Sequence, residues 1–179
     1  MMSKANNFIF IVLKIIAWVI FVGLCIEAAA LLVNFIFAVF NPELVSRLYQ
    51  KMDLSDLYKN NKWAFYQTYL FILSTAILKA VLFYWVIKLL HKLNLSSPFT
   101  ESVSKQIIQI SYYTLVIGLL GLIGHESIKK FFINPDLRYE IRTFLGDSEA
   151  FILMGAVIYI IAVIFKKGVA LQHENELTV

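Results

Sequence analysis

The chain has 179 residues, of which 60% are hydrophobic, 15% aromatic and 16% charged, with a formal net charge of +4. Its mean hydropathy of +0.74 and its apolar share, against about 45–50% in soluble domains, exclude a water-soluble globule and leave room for one membrane-embedded bundle. The single Cys25 excludes a disulfide framework and a thiolate metal site.

The first apolar run, 8–40, is much longer than the roughly 7–15-residue core of a secretory signal and no small-residue cleavage pattern follows it, so it reads as a retained helix. Crossing a hydrocarbon core takes about 20 apolar residues in a helix. Four stretches qualify, 15–37, 64–86, 107–124 and 150–165. The last is short, and Lys166 and Lys167 extend it by reaching to the headgroups. The expected fold is all-α, an integral membrane four-helix bundle occupying residues 1–167, with a tail of residues 168–179. Four spans put both termini on one side.

Lys and Arg divide almost evenly between the two sides, so their count alone does not orient the chain. Cations in the two outer loops are matched there by acids, whereas the terminus side offers only Glu101, Glu174 and Glu176. That imbalance places both termini in the cytosol, with the bundle in a bacterial inner membrane.

Each outer loop opens on Asn-Pro-acid-Leu, at Asn41 and again at Asn134, a start signal in which Asn caps and Pro takes the first helical position. Leu44, Leu48 and Met52 in the first, and Leu137, Ile141, Phe144 and Leu145 in the second, recur at helical spacing, with Gly146 as a stop. Both loops read as short amphipathic helices at the outer surface, and their similar placement fits duplication of a helix-loop-helix unit.

Within the spans, small and polar residues form stripes at spacings of three and four. Gly23, Glu27, Ala30, Asn34 and Ala38 mark the first span; Thr68, Thr75 and Lys79 the second. Ser111, Thr114, Gly118, Gly121 and His125 mark the third, and Gly155, Tyr159 and Ala162 the fourth. Such faces let membrane helices approach closely, so they read first as packing seams. Glu27 lies near mid-membrane, where an unpaired charge costs roughly 3 kcal/mol or more, and Lys79 is its candidate partner. A proton or ligand site built on Glu27 and Lys79 competes with a structural pair, a protonated Glu27, or a Lys79 that snorkels inward.

His91, His125 and His173 are scattered without ligand spacing, so no metal is expected. No Ser or Thr has an activating His and acid, and no glycine-rich phosphate loop occurs, so the chain reads as a non-enzyme without a cofactor. Positive charge is too dispersed for direct nucleic-acid binding, and the expected surroundings are the lipid bilayer. The loop before the third span, "LSSPFTESVSKQI" from Leu95, suggests Ser97 as a helix cap and Pro98 as a first helical residue.

Pro98, Phe99, Thr100 and Glu101, followed by Gly168, Leu171, Gln172, Glu174, Leu177, Thr178 and Val179, make the chain resemble the domain-of-unknown-function 2975 family of small four-helix prokaryotic membrane proteins. Family members share a Pro-Phe-Thr-Glu entry to the third helix and a Gly-x-x-Leu-Gln-x-Glu-x-x-Leu-Thr-Val tail; their longer basic run after the Glu is reduced here to Lys105. The two motifs cover the third and fourth helices, and the first two helices match in hydrophobic layout. The resemblance implies no known biochemical activity but an association with a small helix-turn-helix regulator. The expected function is therefore regulatory binding, in which the 98–105 loop and the 168–179 tail hold or release a small cytosolic helix-turn-helix regulator, with a tail carboxylate of the kind that binding grooves capture. A small transporter or proton-coupled carrier using Glu27 and Lys79, which a homo-oligomer would serve, is the first alternative. A lipid-binding structural bundle is the second.

Overall fold

Asn61 shows how the sequence starts a helix here. Its side chain accepts a hydrogen bond from the Ala64 N–H at 3.2 Å, and the helix that follows runs without interruption from Lys62 to Lys92. The computed structural model describes residues 4–40, 54–94, 98–131, 141 and 145–177. Among these the regular elements are all α-helices: α1 Lys4–Phe40, α2 Ser55–Asn60, α3 Lys62–Lys92, α4 Glu101–Phe131 and α5 Ser148–Leu177. Four of them, α1, α3, α4 and α5, are long and apolar enough to cross a membrane. Each extends past the span predicted for it, and α2 was not predicted.

The helices pack in chain order, α1 on α3, α3 on α4, and α4 most extensively on α5, with α2 against α3. Only 6% of the most apolar window of α1 is buried within the chain, against 39% for α3 and 44% for α4, so α1 is peripheral. Its exposed surface includes Phe8, Ile15, Val19 and Ile26, and that of α5 includes Leu153, Met154, Ile160 and Ile164. Apolar faces this extensive belong against lipid tails.

The polar stripe of α4 lies in the α4–α5 seam. Ser111 donates to the Gly155 carbonyl at 3.0 Å, and Thr114 turns its hydroxyl back to the Ile110 carbonyl at 2.7 Å. A Cβ on Gly118 would stand 2.6 Å from Ile152 Cγ1 and 2.9 Å from its backbone nitrogen, and one on Gly121 would run into the Ser148 hydroxyl. These contacts set an antiparallel register, continued by Phe99 against Gly168. Gly23 is different: among the described residues nothing lies within 4 Å of the place its Cβ would take, so the α1 stripe is open at that level, whereas Ala38 farther along it is buried.

The same register collects Lys14, Lys88, Lys92, Lys105, Lys166 and Lys167 at the terminus end of the bundle. About 20 residues, or roughly 30 Å, beyond that girdle lie Asn34, Ile72, His125 and Asp147. The far ends of α1 and α3 continue past this level. There Phe65 and Tyr69 are fully buried beside Tyr58, Tyr66 and Phe35, and the Tyr69 hydroxyl donates to the Leu31 carbonyl at 3.0 Å.

The stretch from Asn41 lies outside the described residues. Of that from Asn134, Ile141 and Leu145 are described, and both are fully buried in this far-end core. Gly146 follows with φ +74°, a left-handed conformation that suits glycine and turns the chain into α5.

One expected helix start moves. The cap of α4 is Thr100, whose hydroxyl accepts from the Val103 N–H at 3.3 Å, so the helix begins at Glu101 and Pro98 precedes it. Pro98 instead accepts from the Thr100 N–H at 3.0 Å in a turn. That turn sends Phe99 sideways onto the tail, which a helical start at Pro98 would prevent.

Candidate functional site

Two groups of candidate residues are assembled at different levels of the bundle. At the terminus end, α5 does not stop at Gly168 but continues as helix to Leu177. The tail is therefore a helical extension of the last span for most of its length. Thr178 and Val179 lie outside the described residues.

Gly168, inside this helix, is required to be glycine by what packs against it. A Cβ there would lie 2.7 Å from Phe99 Cδ1 and 2.8 Å from its Cε1, well inside carbon–carbon contact. The Phe99 ring also packs on Phe165, with centroids 5.1 Å apart and planes tilted by 44°. Pro98, Phe99, Thr100 and Glu101 are thus brought onto the tail helix, although some 70 residues of chain separate the two.

Phe99, Thr100, Glu101, Val169, Gln172 and His173 frame a cleft of about 230 Å³. Its floor is apolar and its rim carries an acid, an amide and an imidazole. Glu101 pairs with Lys105 at 2.8 Å across one exposed helical turn, and His173 stands within electrostatic reach of Glu101. Lys92 donates to the Ser102 hydroxyl at 3.1 Å and ties the end of α3 to the start of α4. Leu171 is 61% exposed and Glu174 is exposed, so both face outward from the tail helix. Val169 and His173 were missed in the sequence. Their spacing of four beside Gly168 and Gln172 was the available signal once Gly168 is read as part of a helix.

Deeper in the bundle, where α1 packs on α3, Glu27 and Lys79 come within electrostatic range of each other. Lys79 does not direct its ammonium toward the lysine girdle. Nζ lies 3.6 Å from the position a Gly146 Cβ would take and 6.0 Å from the Phe151 ring centroid, beside the turn into α5. Its ammonium thus reaches toward the end of the bundle away from that girdle. Asn34 is half-buried on α1, two turns beyond Glu27.

Among the described residues no three His, Cys, Asp or Glu side chains are close enough to hold a metal ion. The terminus-end cleft brings the Phe99 ring together with the polar groups of Thr100, Glu101, Gln172 and His173.

Helix lengths, lipid-facing apolar surfaces and a small-residue seam define a multi-pass α-helical membrane protein. Residues 48–179 match the family described as protein of unknown function (DUF2975), and the chain belongs to that family. The match reaches back through α2 and α3, further than the two motifs alone. No curated protein and no solved structure matches the chain.

Proposed function

We propose that this membrane protein acts by binding, and that its terminus-end cleft holds or releases a small cytosolic helix-turn-helix regulator. The observation that carries this reading is the seating of Phe99 on Gly168. It joins a loop motif and a tail motif into one surface, whereas a helix that merely ends needs neither. Both termini then lie in the cytosol of a bacterial inner membrane, and the lysine girdle marks the cytosolic headgroup level. Phe99, Val169 and Leu171 supply apolar anchors, and Glu101, Gln172 and Glu174 supply polar contacts for the partner.

The test uses the full chain in lipid nanodiscs and the purified small helix-turn-helix regulators of the source cell, each fluorescently labelled. A regulator that binds wild type and loses at least tenfold in affinity with Leu171→Ala, with Val169→Asp, or on removal of residues 177–179 supports the reading. Equal binding to empty nanodiscs, or binding that ignores all three changes, overturns it.

A further inference from the structure

A second cleft, of about 220 Å³, opens at the other end of the α4–α5 seam, where His125, Gly146, Asp147, Ser148, Glu149 and Ala150 line it. Asp147 and Glu149 are exposed at its mouth, while Ser148 is only 4% exposed. Among the described residues neither the Ser148 hydroxyl nor that of Thr75, which is fully buried, has a hydrogen-bond partner. A hydroxyl shut away from lipid and protein partners alike costs about 1–3 kcal/mol, and water is the group that would relieve it.

Thr75 and Lys79 lie one turn apart on the same face of α3. Gly146, which lines the cleft, is also the residue beside the Lys79 ammonium, whose Nζ is 3.6 Å from its Cβ position. Gly146 therefore stands between the cleft and the half-buried Lys79 ammonium, with the Phe151 ring beside it. We propose that this cleft is the mouth of a water-filled route by which Lys79, and through it Glu27, exchanges protons with the solution on the side opposite the termini. The titratable groups around the route are Glu27 on α1, His125 on α4, and Asp147 and Glu149 flanking Ser148 on α5. Their mixture of acids and bases suits passage of protons, whereas a fixed anion would meet two carboxylates at the mouth and a fixed cation would meet Lys79 behind it. This inference uses no residue of the terminus-end cleft and stands or falls separately from regulator binding.

Cysteine accessibility tests it directly. In a Cys25→Ser background, Lys79→Cys is placed in nanodiscs, which expose both faces and make the result independent of orientation, and treated with 2-aminoethyl methanethiosulfonate. Modification at Cys in place of Lys79 is expected, and a second change, Ala150→Trp, which puts an indole into the cleft from an exposed position, should slow it at least tenfold. Should Lys79→Cys fail to give monodisperse protein, Thr75→Cys serves in its place with the same expectation. An inert thiol overturns the proposal, and a reactive Ser148→Cys in that case locates the end of the cleft at Ser148. Equal rates with and without Ala150→Trp also overturn it, because water then arrives by another way.

Discussion

Replacing Gly168 by Ala sets two effects of known size against each other. In an open helix, Gly→Ala stabilises by about 1 kcal/mol, since alanine loses less backbone entropy on ordering. Here the new Cβ would lie 2.7 Å from Phe99 Cδ1, so the ring must leave its seat. Phe99 is 40% exposed, and losing the buried three-fifths of a phenylalanine forfeits about 1–2 kcal/mol at 1.5–3 kcal/mol for full burial. Gly168→Ala should therefore be neutral or destabilising by up to about 1 kcal/mol in the wild-type chain. In a Phe99→Ala background, where no ring stands in the way, the same change should stabilise by about 1 kcal/mol. The coupling between the two sites is then about 1–2 kcal/mol. Reversible unfolding of the four proteins in mixed detergent, followed by circular dichroism, measures it. A coupling below about 0.3 kcal/mol, the usual additivity error, would refute the contact between loop and tail.

The α4–α5 seam should be much less forgiving, because a Cβ on Gly118 meets the backbone of Ile152 and Ser148 at 2.9 Å. Gly118→Val should cost 3 kcal/mol or more, on the order of the largest core disruptions, and a variant as stable as wild type would dismiss the close approach. Ser111→Ala, which leaves the Gly155 carbonyl without its donor, should cost about 1 kcal/mol in the same unfolding assay. Glu27→Gln should be tolerated, whereas Glu27→Lys puts a second cation within reach of Lys79 and should cost on the order of 3 kcal/mol; an unchanged melting temperature for the Lys variant would remove the pairing. For orientation, a reporter active only in the cytosol is expected to work after Val179 or inserted at Ser96 and to be silent at Asn60. Activity at Asn60 would invert the topology.

Burial of hydrocarbon depends on composition and length, and both are properties of the chain itself. That is why four spans, the common side of the two termini and the membrane class were legible in the sequence before any contact was known. The seam glycines Gly118 and Gly121 were legible too, since helical spacing places residues on a face whatever that face meets. What the face meets is a different matter. The stripe on α1 looked like that on α4, yet among the described residues nothing packs on Gly23 while Ala38 of the same stripe is buried, because the way helices pack decides which part of a stripe becomes a seam. Gly168 read locally only as the first residue of a tail beyond the last span. In the folded chain it continues α5 and makes room for Phe99, a requirement imposed by a residue remote in sequence. The direction of the Lys79 ammonium was undecided for the same reason. Its stem can reach either way along α3, and the turn at Gly146, brought beside it only by the α4–α5 register, determines where it ends.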